Sequence, residues 1–149
     1  MSKTKFTPDN ITELKDNEVF VFGSNVQGEH VGGAALFALK KFGAKDGQGF
    51  GLQGQSYAIP TCIRKTIVEK GGLFGKRYTE PFTDVNQIKP YIDVFIEDAK
   101  FFGGNIFYVT KIGCGIAGFK VEEIAELFRP CLDMENVILP KEFVDYLMK

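Results

Sequence analysis

Hydrophobic positions along the 149-residue chain fall into two kinds of block that alternate. EVFVF, Glu18 to Phe22, and NIFYVT, Asn105 to Thr110, are near-continuous apolar runs of the kind found in strands buried on both faces. Between such runs the apolar residues recur three and four apart. Val31, Ala34, Ala35, Ala38, Leu39 and Phe42 predict a helix, with Lys40 and Lys41 in its last turn and Gly43 as its stop. Ile88, Tyr91, Ile92, Phe95, Ile96, Ala99 and Phe102 predict a second helix, polar on its other face and closed by Gly103-Gly104. Val121, Ile124, Ala125 and Phe128 predict a third, with Glu122 and Glu123 in its first turn and a stop near Pro130. SYAIP, Ser56 to Pro60, reads as a further strand, Val137 to Leu139 as the last one, and Glu142 to Lys149 as a closing helix. Cys62 to Asn86 has neither period and is expected to be an irregular stretch, with Gly71, Gly72 and Gly75 in it. This alternation predicts one α/β domain over residues 1–149, a three-layer α/β/α sandwich with a mixed, mostly parallel central sheet.

Strand, glycine-rich loop and helix follow one another twice, in FGSNVQGEHVGGAALFALKKFG and in KIGCGIAGFKVEEIAELFRP. Loops leaving the carboxyl ends of parallel strands border the crevice where open α/β sheets bind ligands. A helix N-terminus adds unpaired N–H groups and about half a positive charge, so a loop that lets a ligand come close makes an anion site without lysine or arginine. Gly28, Gly32 and Gly33 on one side and Gly113, Gly115 and Gly118 on the other are placed to grip a diphosphate. Glycines also serve tight turns and close packing, and that structural role stands beside the ligand role for each loop. A Rossmann fingerprint is absent because Asn25 stands where GxGxxG needs its second glycine. GLFGKRY lacks both the upstream glycine and the Ser or Thr of a P-loop.

Charge removes other classes. Eighteen basic residues against nineteen acidic ones, scattered without a stripe, give a net charge of -1, which argues against a nucleic-acid backbone binder. No stretch approaches the roughly 20 apolar residues that span a bilayer, so a cytoplasmic location is expected. Cys62, Cys114 and Cys131 are odd in number and widely spaced, the pattern of reduced, buried thiols rather than of a disulfide framework or zinc knuckle. No cofactor or metal is called for.

At its two loops the sequence resembles the macrodomain family, the ADP-ribose-binding α/β/α modules. NITELKDNEVFVFGSN, Asn10 to Asn25, is similar to the family's opening motif, with FGSN in place of N-A-A-N and one extra residue between. GEHVGGAALFA resembles the glycine-rich start of the family's first major helix, and VTKIGCGIAGF its second phosphate loop. SYAIPT is similar to the strand that carries I-H-T, without the histidine. The resemblance implies that the chain binds ADP-ribose or a related adenine nucleotide diphosphate, free or attached to a protein. It implies Asn25 near the distal ribose, after Gly23 and Ser24, and Gly32, Gly33 and Ala34 beside the diphosphate. It implies Ile112, Gly113, Cys114, Gly115, Ile116, Ala117 and Gly118 around the phosphates and ribose, and Asp9 or its neighbour Asn10 at the adenine amino group. Phe119 either stacks on the ligand or packs into the core.

Two functions remain open at this point, hydrolysis of an ADP-ribosyl or ADP-ribose-phosphate substrate and non-catalytic reading of the same ligand. For hydrolysis the candidates are Asn25, whose amide can hold a water, with Glu29 or His30 assisting. His30 is the only histidine, and imidazole titrates in the range suited to proton transfer. Against each stands a plainer role: turn capping for Asn25, solvation for His30. Cys114, between two glycines, is either a small spacer or a nucleophile, and Ser24 lacks a GxSxG elbow.

Overall fold

The computed structural model describes residues 3–68, 71–72 and 75–149. The chain is an α/β protein in which the described residues form one mixed sheet of six strands and four α-helices. In chain order these are β1 (Glu18–Asn25), α1 (Gly33–Lys41), β2 (Gly51–Gln53), β3 (Ser56–Ile67), β4 (Lys76–Pro81), α2 (Lys89–Phe101), β5 (Ile106–Val109), α3 (Val121–Leu127), β6 (Val137–Ile138) and α4 (Lys141–Leu147). No helix of the described residues is long and apolar enough to cross a membrane.

β1 lies at the middle of the sheet, parallel to β3 on one side and β5 on the other, with β6 parallel beyond β5. Its apolar run is continuous because both faces are covered. Side chains alternate along a strand, so Val19 and Val21 enter one core cluster and Phe20 and Phe22 another. The first cluster takes Ile92, Phe95, Ile124 and Phe143 from α2, α3 and α4. The second is closed by α1, whose small Ala35 and Ala38 let the helix lie close over Phe20, Phe22 and Phe42. Each fully buried side chain such as Phe95 or Phe107 contributes about 1.5–3 kcal/mol relative to exposure.

The stretch expected to be irregular is largely a two-stranded arm. β3 runs on through Ile67, and its outer half pairs antiparallel with β4 from Cys62↔Pro81 to Ile67↔Lys76. Both halves of this arm are polar and partly exposed, so they lack the apolar signature of the inner strands. Residues 69–70 and 73–74 of the expected loop lie outside the described residues. Three-residue β2 also escaped the sequence pattern, being too short to show a period.

The N-terminal segment is pinned to the rim of the sheet by Thr7. Its N–H donates to the Leu139 carbonyl at 2.9 Å, and its hydroxyl lies 2.7 Å from the Val109 carbonyl oxygen and 3.0 Å from that of Ile138. Residues 8–11 are thereby held beside the carboxyl end of β5.

Candidate functional site

The two glycine-rich loops leave neighbouring parallel strands, β1 and β5, at the same rim, and together they line one cleft of about 320 Å³. From the first loop and the start of α1 come Gly32, Gly33 and Ala34, with Gly23, Ser24 and Asn25 from the end of β1. From the second come Ile112, Gly113, Gly115, Ile116 and Ala117. A second cavity of about 280 Å³ adjoins it through Gly33, Ala34 and Thr110, and is bordered by Asp9, Asn10, Phe20 and Phe37. The cleft thus continues into a smaller compartment bordered by apolar residues and by Asp9.

Helix α1 begins without a side-chain cap, its N-cap being Gly32, and carries no acidic residue in its first turn. Its first N–H groups are left for another partner. Across the cleft, the N–H groups of Gly115, Ile116 and Ala117 make no backbone hydrogen bond among the described residues. Gly32 has extended backbone, at φ -163°, and a Cβ there would meet nothing within 4 Å. The same open space surrounds Gly115. Neither position needs glycine for the fold, which leaves room for a ligand as the use of the missing side chain.

Several expected ligand positions lie elsewhere. Gly28 is at φ +74°, and a Cβ on it would run into the backbone of Gln48; it serves the packing of the first loop on the turn at Gly47, whose N–H donates to the Gly28 carbonyl at 2.9 Å. Gly118, at φ +74°, turns the chain toward α3 and does not line the cleft. Phe119 packs against the core cluster beneath α2 and α3, the plainer of its two roles. Cys114 also packs there, its thiol within 3.6 Å of the Ile112 carbonyl; burial pushes its pKa up, with only partial opposition from Lys111, which disfavours the thiolate a nucleophile needs. At the start of α3, the Glu123 carboxylate accepts from the N–H of the N-cap residue Lys120 at 3.1 Å.

The three catalytic candidates are held in specific ways. Asn25 is buried, and its amide closes the turn onto Glu29: Nδ2 donates to the Glu29 carbonyl at 2.8 Å and Oδ1 accepts the Glu29 N–H at 2.9 Å. The Glu29 carboxylate accepts from Arg64 Nε at 3.0 Å and from Arg77 Nε at 3.2 Å, with Arg77 Nη2 closer still. Hydrogen bonding from Arg77 is the largest influence on this carboxyl and, with Arg64, holds its pKa below the ordinary value against a smaller effect of burial. His30 is 1% exposed rather than solvated, set edge-on against Phe22 with 5.3 Å between ring centroids. Neither of its ring nitrogens has a hydrogen-bond partner among the described residues, and it does not line the cleft.

Sequence reasoning missed Thr61, Cys62 and Thr79, which line the cleft together with Asn25 and Glu29. It also missed the arginine pair behind Glu29. Both RKT and KRYTE are polar runs without an apolar period, so the sequence carried no signal for this strand pair. No group of three or more His, Cys, Asp or Glu side chains among the described residues is arranged to hold a metal ion.

No family model matches the chain, and comparison with curated proteins and with solved structures finds no match.

Proposed function

We propose that this protein binds ADP-ribose or a related adenine nucleotide diphosphate in the groove between its two glycine-rich loops. The reading is carried by one observation: two loops more than eighty residues apart in sequence share a cleft in which glycines the fold does not require meet unpaired N–H groups. That combination suits a diphosphate, which needs donors and close approach more than side-chain charge. The adjoining compartment suits adenine, with Phe37 as an apolar neighbour and Asp9 as acceptor for the amino group. The far end, with Asn25, Glu29, Thr61 and Thr79, suits the distal ribose. A three-layer, macrodomain-like α/β/α arrangement belongs to the same proposal, supported by the helix packing on both faces of β1. So does a cytoplasmic setting, where the ligand is met free or on an ADP-ribosylated protein.

Between hydrolysis and reading, the state of the candidates favours reading. Asn25 is engaged with backbone, Glu29 is ion-paired, and His30 is buried and does not line the cleft. Thermal shift and calorimetry with ADP-ribose, ADP, AMP and NAD test the binding. ADP-ribose at a hundred times its dissociation constant is expected to stabilise the fold by about 2.7 kcal/mol. Absence of any shift with all four ligands overturns the proposal. Product from ADP-ribosylated protein or from a phosphorylated ADP-ribose, lost in Asn25→Ala, would replace the reader by the hydrolase.

A further inference from the structure

We propose that a second copy of this chain docks on the outer edge of β4, the two β4 strands pairing antiparallel about a two-fold axis at Tyr78. The inference is independent of the ligand proposed above.

β4 pairs with β3 alone, so its other edge has no strand partner among the described residues. Which backbone groups face outward follows from β3. On its β1 side the Cys62 carbonyl accepts from the Val26 N–H at 2.9 Å and the Arg64 N–H donates to Gln27 Oε1 at 2.8 Å. On its other side the Thr61 carbonyl accepts from the Phe82 N–H at 2.9 Å. Backbone groups alternate along a strand, so Ile63, Lys65 and Ile67 face β4 and bond to their register partners Glu80, Tyr78 and Lys76. Arg77 and Thr79, lying between these, turn their N–H and carbonyl groups away from the ladder. A row of such groups is a template for another strand.

A pairing can form only where outward groups meet outward groups, and of those registers the one centred on Tyr78 suits a second copy. Each Arg77 exchanges both backbone hydrogen bonds with Thr79 of the other copy. Lys76 then lies opposite Glu80, and Tyr78 opposite Tyr78, at the positions where side chains of antiparallel strands come closest. Centring the axis on Arg77 sets two guanidiniums opposite one another, and centring it on Thr79 sets Arg77 against Pro81, which has no N–H to give. Lysine on an edge ordinarily opposes pairing, but reversal of the strand brings this one to a glutamate. Glu80 has one partner in its own chain, Lys65, and the two side chains remain 46% and 45% exposed, so the carboxylate keeps acceptor capacity for a second ammonium. KRYTE is complementary to its own reversal, which makes a second copy the occupant of this edge. Thr79 also lines the cleft, so the pairing sets the two clefts on either side of the axis.

So short an edge makes a small interface, and the dimer is expected to be weak and concentration-dependent. Sedimentation velocity of the full chain from about 10 µM to about 1 mM should show monomer giving way to dimer. Lys76→Glu and Glu80→Lys are each expected to weaken self-association about tenfold or more. An equimolar mixture of the two variants should restore it, since only the mixed dimer sets acid against base at both pairs, and misfolding is not rescued by mixing. Amide exchange in the unsubstituted chain, which does not depend on how the variants fold, should slow at Arg77 and Thr79 on concentration and stay unchanged at Tyr78, already bonded to β3. A chain that stays monomeric throughout, a dimer that both single variants leave intact, or a dimer whose Arg77 and Thr79 amides gain no protection overturns the proposal.

Discussion

Asn25 and Glu29 clasp one another through two hydrogen bonds, side-chain amide to backbone in both directions, so that the last residue of β1 fixes the first bend of the loop that follows. The clasp presents the Glu29 side chain to Arg64 and Arg77. Removing it leaves a part-buried N–H and carbonyl without partners, which costs about 1–3 kcal/mol. Asn25→Ala is accordingly expected to lower stability by that order in urea denaturation and to weaken ADP-ribose binding. A variant of full stability and full affinity would contradict the role given to the clasp.

Gly32→Asp separates the fold from the ligand. Its extended backbone and open surroundings accept a side chain, and an aspartate N-cap on α1 is expected to stabilise the helix by a few tenths to about 1 kcal/mol. The same carboxylate takes the N–H groups assigned to the diphosphate and opposes its charge. Melting temperature should hold or rise while binding disappears; binding that survives would move the anion away from α1.

His30→Phe probes the buried imidazole. Two buried ring nitrogens beside Phe22, without partners among the described residues, carry a desolvation cost that an apolar ring of similar size removes, so stability should rise by about 1–3 kcal/mol. Ligand affinity should not change, since His30 does not border the cleft. Loss of a hydrolytic activity in this variant would restore His30 as a proton carrier.

Alkaline solution should weaken the fold through Cys131. Burial pushes its thiol up to about 12 from an ordinary 9.0, with Lys3 and Lys100 opposing. The unfolded thiol loses its proton first, so this contribution is complete below pH 9.0 and falls away between there and about pH 12. Tyr57, held protonated by burial and by its bond to Asp98, acts in the same direction at higher pH. Chemical denaturation across pH 8–11 should show a steeper decline in the unsubstituted chain than in Cys131→Ala, by at most about 1.4 kcal/mol per pH unit. Parallel declines would exclude the thiol as the source.

What the sequence determined by itself was local: the apolar runs of β1 and β5, the helical period of α1, α2 and α3, and the two glycine loops between them. Such features are written in the spacing of neighbouring residues, because a strand repeats every two positions and a helix every 3.6. The placement of both loops on one rim followed from that alternation, since parallel strands joined through helices send their carboxyl ends to the same side. Asn25, Gly32, Gly33 and Gly115 were legible on those grounds. The tertiary structure alone decided which glycine faces the cleft and which, like Gly28, receives a neighbouring turn. It also decided that His30 is buried and that Glu29 meets arginines 35 and 48 residues away. Those contacts depend on strand order and on the register of an arm whose polar faces carry no apolar period. Spacing along a chain fixes what each segment becomes, whereas the meeting of distant side chains is set by how the segments are laid against one another.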